Sequence, residues 1–379
     1  MDSVDVLKKL ISINSVFGNE LEMAVYLDER LRQVGFSTDR VTLSDARYNV
    51  VGERGRRGKP ILFFGHMDTV PPYGKWVGSP FVPREDGDRI YGLGSADMKG
   101  GLGAILEACG QESDRKIKVA FCVDEENVSA GSQELVKSGF LRKVAAVVST
   151  ELSTSKGEPK GTGEITLGRR GRCVLEISVP GRSAHGAQGE KGISAIMEAA
   201  RLVQELERLN GNLGSHRLLP PPTQFVRRLS AESTSLSIPE RAVIELDRHL
   251  VSPQTPESAL RETGLFIERL YAAKKFAPID GKKITLRLKE RATPYLAPYI
   301  TPASNSYVRL LSKIAEEKAG SVSYGYGTSV ADDNRLASAG LPVMSIAPLG
   351  AGEHTDKEWV SKSDYLRLIE ILKEFIRRC

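Results

Sequence analysis

Cysteine is scarce in this 379-residue sequence, and its four cysteines form no Cys-x-x-Cys pair. The sequence therefore offers neither a disulfide framework nor a thiol-rich metal site. Cys109, Cys122 and Cys173 lie in apolar patterns, so we expect buried free thiols in a reducing compartment. No window approaches the roughly 18 consecutive apolar residues of a membrane-spanning helix, and no signal peptide is indicated. We expect a cytoplasmic protein without a membrane partner.

Neither sign of charge dominates, because the chain has 53 basic and 48 acidic residues and a formal net charge of +5. Aromatic residues make up 6%, and the short basic clusters at 54–59 and 227–228 contain none. The sequence therefore predicts solvated loops at these clusters and no nucleic-acid partner. A small positive surplus suits anionic small-molecule substrates.

The length of the chain allows two domains, and its pattern divides into two kinds of region. Short apolar strands alternate with helices in residues 1–171 and again in residues 291–379. This alternation predicts an α/β domain whose mixed, mostly parallel sheet is covered by helices on both faces. A buried strand is expected at 61–64, where four large apolar residues lie between Pro60 and Gly65.

Residues 172–290 have a different pattern, which predicts an inserted α+β domain. Residues 172–180 alternate between apolar and polar side chains, as in a strand with one wet face. They are followed by a helix at 193–209, strands near 233–238 and 242–250, a helix opened by Thr255 and Pro256, and a strand at 283–289. This order is that of a ferredoxin-like module.

Imidazole and carboxylate side chains stand at or near the ends of the strands predicted for the α/β domain. Ligands of open α/β sheets bind beyond the carboxyl ends of the strands. A helix cap, a solvated loop or an exposed strand end would explain each acidic residue singly. Together, they are better explained by one metal site. The residues concerned are His66, Asp68, Asp97, Glu125, Glu126, Glu151 and His354.

Two imidazoles and several carboxylates are a ligand set that zinc accepts, and two ions would need one bridging carboxylate. Asp97 suits this bridge because the glycines around it let the backbone approach closely. Asp68 stands two residues after His66, where its carboxylate can accept the second N–H of the imidazole. In an extended backbone, one residue of the Glu125–Glu126 pair would ligate while the other faces the open side as a general base.

Five short motifs give the sequence a family resemblance. They are Gly-His-Met-Asp-Thr-Val-Pro at 65–71, Gly-Leu-Gly-Ser-Ala-Asp-Met-Lys-Gly-Gly at 92–101, Asp-Glu-Glu at 124–126, Gly-Arg-Ser-Ala-His-Gly at 181–186 and Glu-His-Thr at 353–355. Through these motifs the sequence resembles the zinc amidohydrolases that include acetylornithine deacetylase, succinyl-diaminopimelate desuccinylase, aminoacylase and glutamate carboxypeptidase. The motifs span nearly the whole chain, and their combination is specific although no single motif is.

The resemblance implies a cofactor of two Zn²⁺ ions per chain, with Co²⁺ as a substitute in vitro. His66 and Glu151 would bind one ion, and Glu126 and His354 the other. The reverse assortment, with Glu126 and Glu151 exchanged, stays open. In either arrangement Asp97 would bridge the two ions.

The resemblance also implies a mechanism. Glu125 would take a proton from the metal-bound water and pass it to the leaving amine, while Asp68 would orient His66. The peptide bond before Met98 would be cis. The inserted domain would act as a lid and as the dimerisation module of a homodimer, in which His185 reaches the partner's active site. There it would hydrogen-bond the tetrahedral oxyanion.

Three residues resemble positions that hold substrate carboxylates in the family: Arg170, Arg248 and Thr328. A guanidinium fork suits a carboxylate, although surface salt bridges are a common alternative for arginine. The chain departs from the family at Ser237, where many relatives have Asn, and at Val330, where relatives often have Asp after Gly-Thr-Ser. Both departures lie near the predicted substrate pocket, so the recognised acyl group and amino acid stay open.

The sequence thus predicts a di-zinc hydrolase that cleaves the amide bond of an N-acyl amino acid or releases a C-terminal residue from a short peptide. The expected partner is a small substrate with a free carboxylate. Two alternatives stay open: an aminopeptidase of the same fold, and a non-catalytic metal-binding relative.

Overall fold

The computed structural model describes residues 2–152, 160–233 and 236–379. The helices in these residues are α1 (Ser3–Ser12), α2 (Leu21–Gln33), α3 (Gly100–Cys109), α4 (Ala130–Lys137), α5 (Ala195–Leu209), α6 (Pro256–Ala272), α7 (Ser306–Ala319), α8 (Asp332–Ser338) and α9 (Lys362–Arg378). In the same ranges, none of the helices is both long and apolar enough to cross a membrane.

The strands of the described residues are mostly short. They are β1 (Ser37–Ser44), β2 (Arg47–Arg54), β3 (Arg57–His66), β4 (Arg84–Asp86), β5 (Arg89–Tyr91), β6 (Arg115–Cys122), β7 (Ala146–Ser149), β8 (Glu164–Arg169), β9 (Gly171–Pro180), β10 (Thr223–Ala231), β11 (Arg241–Leu250), β12 (Thr285–Leu288), β13 (Tyr299–Ile300), β14 (Ser323–Gly327), β15 (Val343–Ser345), β16 (Gly350–Ala351) and β17 (Trp359–Ser361).

The chain forms two compact units. The first consists of Met1–Arg169 and Tyr299–Cys379, and the second is Arg170–Pro298. The insertion expected at residues 172–290 falls inside the second unit. Its role as a lid and dimerisation module stays a prediction.

The first unit is built on a nine-stranded sheet with the order β1-β2-β6-β3-β7-β15-β8-β13, in which β14 also pairs with β8. The four central strands, from β6 to β15, pair in parallel. The pairs β1–β2, β2–β6, β15–β8 and β13–β8 are antiparallel. The prediction of an α/β fold with a mixed sheet, parallel through its centre, is confirmed.

Strand β3 is buried on both faces, as its run of apolar residues predicts. Ile61 and Phe63 join the core that contains residues of α3 and α9. Leu62 and Phe64 join a second core, on the opposite face, with residues of α4 and α8. Burying each such side chain stabilises the fold by about 1.5–3 kcal/mol. The three cysteines expected to be buried are buried and free: Cys109, Cys122 and Cys173.

The parallel register brings the carboxyl ends of the central strands to one edge. His66, the last residue of β3, lies opposite Cys122, the last residue of β6. Phe64 lies opposite Ser149, the last residue of β7. The residues that follow β3, β6 and β7 therefore leave the sheet at nearly the same level.

A small antiparallel sheet completes the first unit, with the order β16-β17-β5-β4. The loop between β16 and β17 contains His354, and the segment after β5 leads to Asp97. Because β17 pairs with β5, this sheet connects the His354 loop to the chain that carries Asp97.

The second unit has a four-stranded antiparallel sheet with the order β10-β11-β9-β12. Its elements follow one another as β9-α5-β10-β11-α6-β12, the order expected of a ferredoxin-like module. Helix α6 begins as predicted, because the Thr255 hydroxyl accepts the Ser258 backbone N–H at 3.1 Å and Pro256 occupies the first turn.

The strand predicted near 233–238 is wrong in position. The strand that pairs with β11 on the side away from β9 is β10, and among the described residues of 233–238 Ser237 forms only an isolated bridge with His185. Residues 234 and 235 lie outside the described ranges. Strand β10 was missed because a bulge between Val226 and Arg228 interrupts its alternation.

Candidate metal centre

Two imidazoles and three carboxylates meet at the carboxyl edge of the central sheet. His66 Nε2 lies 3.1 Å from Asp97 Oδ1 and 3.4 Å from Glu151 Oε2. His354 Nε2 lies 3.1 Å from Glu126 Oε2 and 3.5 Å from Asp97 Oδ2. Each oxygen of Asp97 thus faces a different imidazole, which is the arrangement a bridging carboxylate requires. All five predicted ligands lie in this cluster.

The chemistry of these donors fits divalent cations of the zinc type. Ligand atoms of His66, Asp97 and Glu126 all lie within 4.8 Å of one another. Imidazole nitrogens and carboxylate oxygens are the ligands that zinc combines in catalytic sites. Within the cluster, His66 is nearest Asp97 and Glu151, and His354 is nearest Glu126. The side chains can therefore supply two neighbouring ligand sets that share Asp97.

The orientation of His66 is set by Asp68, mainly through its backbone. His66 Nδ1 lies 2.9 Å from the backbone carbonyl oxygen of Asp68 and 3.6 Å from the nearer carboxylate oxygen. The carboxylate accepts the backbone N–H groups of Glu125 and Glu126, at 3.1 and 3.0 Å. The predicted contact between the Asp68 carboxylate and the ring is thus the longer one. The same carboxylate holds the turn that presents both glutamates.

Glu125 and Glu126 lie in a turn, and their carboxylates have different surroundings. Glu126 contacts His354, whereas the Glu125 carboxylate makes no hydrogen bond with another residue in the described part of the chain. Burial raises the pKa of Glu125 well above its ordinary value, and the nearby carboxylate of Glu151 adds to the effect. A carboxyl group with a raised pKa is suited to accept and then donate a proton near neutral pH.

The two imidazoles are held by acidic neighbours. Burial opposes protonation of His66, but its interactions with Asp68, Asp97 and Glu151 outweigh burial and raise its pKa. Hydrogen bonds to Asp97 and Glu126 raise the pKa of His354 to about 11. Asp97 responds in the opposite sense: burial opposes its ionisation, yet both imidazoles together hold its pKa below the usual range.

Glu151 owes its position to neighbours that sequence reasoning missed. The hydroxyl of Ser345, in β15, donates to the Glu151 backbone carbonyl at 2.6 Å. Arg169, at the end of β8, donates to the backbone carbonyl of Leu152 at 3.0 Å and to Asp333 at 3.1 Å. Burial raises the pKa of Glu151 to about 7. Arg169 adjoins Arg170 in Gly-Arg-Arg-Gly, so the motif indicated a function but not which arginine supports the cluster.

Glu358 is a second residue that sequence reasoning missed. Its carboxylate accepts three backbone N–H groups of the segment around the bridging carboxylate: Gly94 at 2.8 Å, Ala96 at 3.0 Å and Asp97 at 3.0 Å. The peptide bond between Asp97 and Met98 is cis, as predicted. The only signal for Glu358 was an acidic residue four positions after His354, beside a short apolar strand.

Three other predicted site residues lie in the second unit. His185 Nδ1 accepts the Ala187 backbone N–H at 3.1 Å. Arg170 Nη1 donates to the Pro221 carbonyl at 2.7 Å. Arg248 is buried and pairs with Glu262 of α6. Thr328 follows β14 in the first unit. The roles of these four residues toward a substrate stay predictions.

Two known hydrolases are similar to this chain over most of its length. The succinyl-diaminopimelate desuccinylase of Hydrogenovibrio crunogenus is 26% identical over an alignment of 394 positions, which covers 98% of this chain and 97% of that protein. Carboxypeptidase G2 of a Pseudomonas species is 28% identical over 375 residues, covering 93% of this chain and 83% of that protein.

Solved structures have the same fold. Aminopeptidase PepT of Bacillus cereus matches with a TM-score of 0.77 at 19% identity, over 99% of this chain and 97% of that one. The Bacillus subtilis YxeP protein, described as a dinuclear metal-binding peptidase, matches with a TM-score of 0.73 at 14% identity, over 99% and 96%.

The α/β fold, with imidazoles and carboxylates gathered at the carboxyl edge of its sheet, defines a metal-dependent hydrolase of the metallopeptidase and amidohydrolase class. The profile of peptidase family M20/M25/M40 matches residues 62–378. The chain belongs to that family.

Proposed function

We propose that this protein hydrolyses the amide bond of N-acyl amino acids or removes C-terminal residues from short peptides. The observation that carries the proposal is the Asp97 carboxylate, which directs one oxygen toward each of two imidazoles. The relatives named as a desuccinylase and a carboxypeptidase support this substrate class. The substrate is a small molecule with a free carboxylate.

The cofactor we propose is a pair of zinc ions, for which cobalt can substitute. His66 and Glu151 hold one ion, Glu126 and His354 hold the other, and Asp97 is shared. The short distances between His66 and Glu151 and between His354 and Glu126 favour this assortment over the exchanged one. When bound, zinc polarises the scissile carbonyl and lowers the pKa of the attacking water.

Glu125 moves the proton in this proposal. Its carboxylate takes a proton from the attacking water and passes it to the leaving nitrogen. Asp68 fixes the base through the backbone N–H of Glu125, and also sets the ring of His66 through its own carbonyl. One residue thus aligns the general base with a metal ligand.

The second unit contributes to the proposed function as a lid and dimerisation module. His185 from the partner of a homodimer stabilises the oxyanion, and Arg170 and Thr328 hold the substrate carboxylate. The family resemblance supports these roles. A cytoplasmic location completes the proposal, supported by the free cysteines among the described residues.

A hydrolysis screen tests the proposal. Purified protein is given N-acetyl and N-succinyl amino acids, dipeptides with blocked amino termini, and tripeptides with free ones. We expect turnover of acylated or blocked substrates, its loss on chelation and its return with zinc or cobalt. Cleavage of free-amino peptides alone would establish the aminopeptidase alternative. No turnover of any of these substrates by protein that retains bound metal would establish the non-catalytic metal-binding alternative.

A further inference from the structure

Arg248 has a buried guanidinium with unmet hydrogen-bonding groups. The residue is 1% exposed, and its Nη2 donates to the carboxylate of Glu262. Its Nε and Nη1 are buried and have no hydrogen-bond partner in the described part of the chain. A guanidinium stays charged in proteins, and buried N–H groups without acceptors destabilise the fold. These groups therefore call for an acceptor from outside the chain.

A cleft of about 400 Å³ adjoins this guanidinium. Its apolar lining comes from Leu209 and Leu213, at the end of α5 and just beyond it, and from Leu265 and Phe266 of α6. This volume lies in the range of small-molecule sites, roughly 300–1,000 Å³. The cleft thus combines apolar walls with a buried cation.

The polar groups of the cleft have an excess of positive charge. Arg248 and Arg269 contribute two guanidinium groups, whereas Glu262 contributes the single carboxylate among the lining residues. Arg269 lies two helical turns beyond Glu262, on the same face of α6. Asn212 adds an amide. This balance favours an anionic ligand.

We propose that the cleft is a binding site for a small carboxylate with an apolar body. The ligand carboxylate takes the place of Glu262 and accepts hydrogen bonds from Nη1 and Nη2 of Arg248, the adjacent pair that forms the end of the guanidinium fork. Its apolar body packs between the leucines and Phe266. The side chain of Glu262 is 47% exposed and moves aside as the ligand enters.

This site differs from the substrate role that the family resemblance assigns to Arg248. Successive residues of a strand point to opposite faces, and Leu246 and Leu250 lie with Arg248 on the face of β11 that packs against the helices. Every residue that lines the cleft belongs to the second unit. The proposal therefore does not depend on hydrolysis at the metal centre.

Calorimetric titration of the zinc-loaded protein with phenylacetate tests the site. We expect saturable binding that Arg248→Met weakens by about tenfold or more, since it removes the charged donor. Arg269→Gln should weaken binding less, and Glu262→Ala should strengthen it, because it removes the competing carboxylate. Arg269 and Glu262 lie on the exposed face of α6, so we expect their variants to fold. They can therefore test the site even if Arg248→Met does not fold.

Arg287→Gln is the matched control, because Arg287 pairs with Glu176 on the sheet of the same unit and does not line the cleft. Its phenylacetate affinity should equal that of the unaltered protein. Absence of binding, or unchanged affinity in both arginine variants of the cleft, would overturn the proposal. Loss of phenylacetate binding on chelation would place the probe at the metal centre and overturn it too. Equal affinity for inorganic phosphate would overturn the proposed ligand class.

Discussion

The backbone carbonyl of Asp68 decides which nitrogen of His66 faces the carboxylate cluster. Because Nδ1 lies 2.9 Å from that carbonyl, it carries the proton in the neutral ring. Nε2 is then an electron-pair donor directed at Asp97 and Glu151. The sequence predicted that Asp68 serves the ring, but spacing alone cannot separate its carbonyl from its carboxylate.

We predict that zinc binding at neutral pH releases protons, because the imidazoles and Glu151, whose pKa burial raises to about 7, must be deprotonated to ligate. His354 has a pKa of about 11 without metal, and the pKa of His66 is raised as well. His354 is therefore protonated at neutral pH and must lose a proton to ligate, and the raised pKa of His66 adds to the release. Zinc affinity should accordingly rise with pH. Calorimetry in two buffers of different ionisation enthalpy measures the release, and a value near zero would contradict the imidazole assignments.

Glu125→Gln should abolish turnover while fold and metal content stay unchanged. The amide cannot accept the proton of the attacking water, so we expect a loss of roughly 10²–10⁴-fold in kcat. Steady-state kinetics and metal analysis measure the two effects. Glu134→Gln, at an exposed glutamate of α4, is the control and should retain full activity. Near-normal rates in Glu125→Gln would remove the general-base role.

At the scale of secondary-structure elements, the bridging carboxylate depends on the small sheet that carries His354. Strand β17 begins directly after Glu358, whose carboxylate gathers three backbone N–H groups from the Asp97 segment. The loop between β16 and β17 therefore supplies one ligand and fixes the backbone of another. Long side chains from a loop need such support to hold a metal geometry.

We predict that Glu358→Gln lowers zinc affinity by roughly 10- to 100-fold, because the NH₂ group that replaces one carboxylate oxygen cannot accept the backbone N–H groups bound by that oxygen. Asp364→Asn is a matched control. Asp364 also accepts two backbone N–H groups, from Thr162 at 2.9 Å and Leu349 at 2.7 Å. The Asp364→Asn substitution should lower the melting temperature without lowering zinc affinity. Equal zinc affinity in Glu358→Gln and the unaltered protein would show that Glu358 does not position Asp97.

A structural feature can be predicted from the sequence when the residues that form it are close together in the chain. The apolar run of β3 and the cap of α6 are local, so both were predicted. Strand β10 was missed because its bulge breaks the alternation. Arg169 and Glu358 were missed as supports because their partners lie far along the chain, such as Asp333 and Gly94. Tertiary hydrogen bonds of this kind leave no periodic signal.

For the whole molecule, parallel pairing through the centre of the sheet explains why distant motifs act together. Strands β3, β6 and β7 end at nearly the same level, so the motifs at 65–71 and 124–126 and the residue Glu151 meet at one edge of the sheet. Strand pairing brings them together, and the sequence near each motif does not. The order of the motifs along the chain could not reveal these distances. It revealed the family, and the family implied the cluster.

The proposed homodimer predicts complementation between two inactive variants. His185→Ala should lower kcat with metal content unchanged, because the oxyanion loses a donor. Mixing it with Glu125→Gln and allowing subunits to exchange should restore about a quarter of full activity, since half of the dimers then contain one intact site. Activity assays before and after exchange measure this gain. No gain, with exchange verified, would contradict a histidine supplied by the partner.

Zinc titration of fully chelated protein tests the central assignment most directly, with bound metal and hydrolysis rate measured on the same samples. If Asp97 joins the ligand sets of His66 and His354, the chelated protein should be inactive. Its rate should rise until two zinc ions are bound per chain. Hydrolysis that persists at full rate after thorough chelation would contradict the assignment.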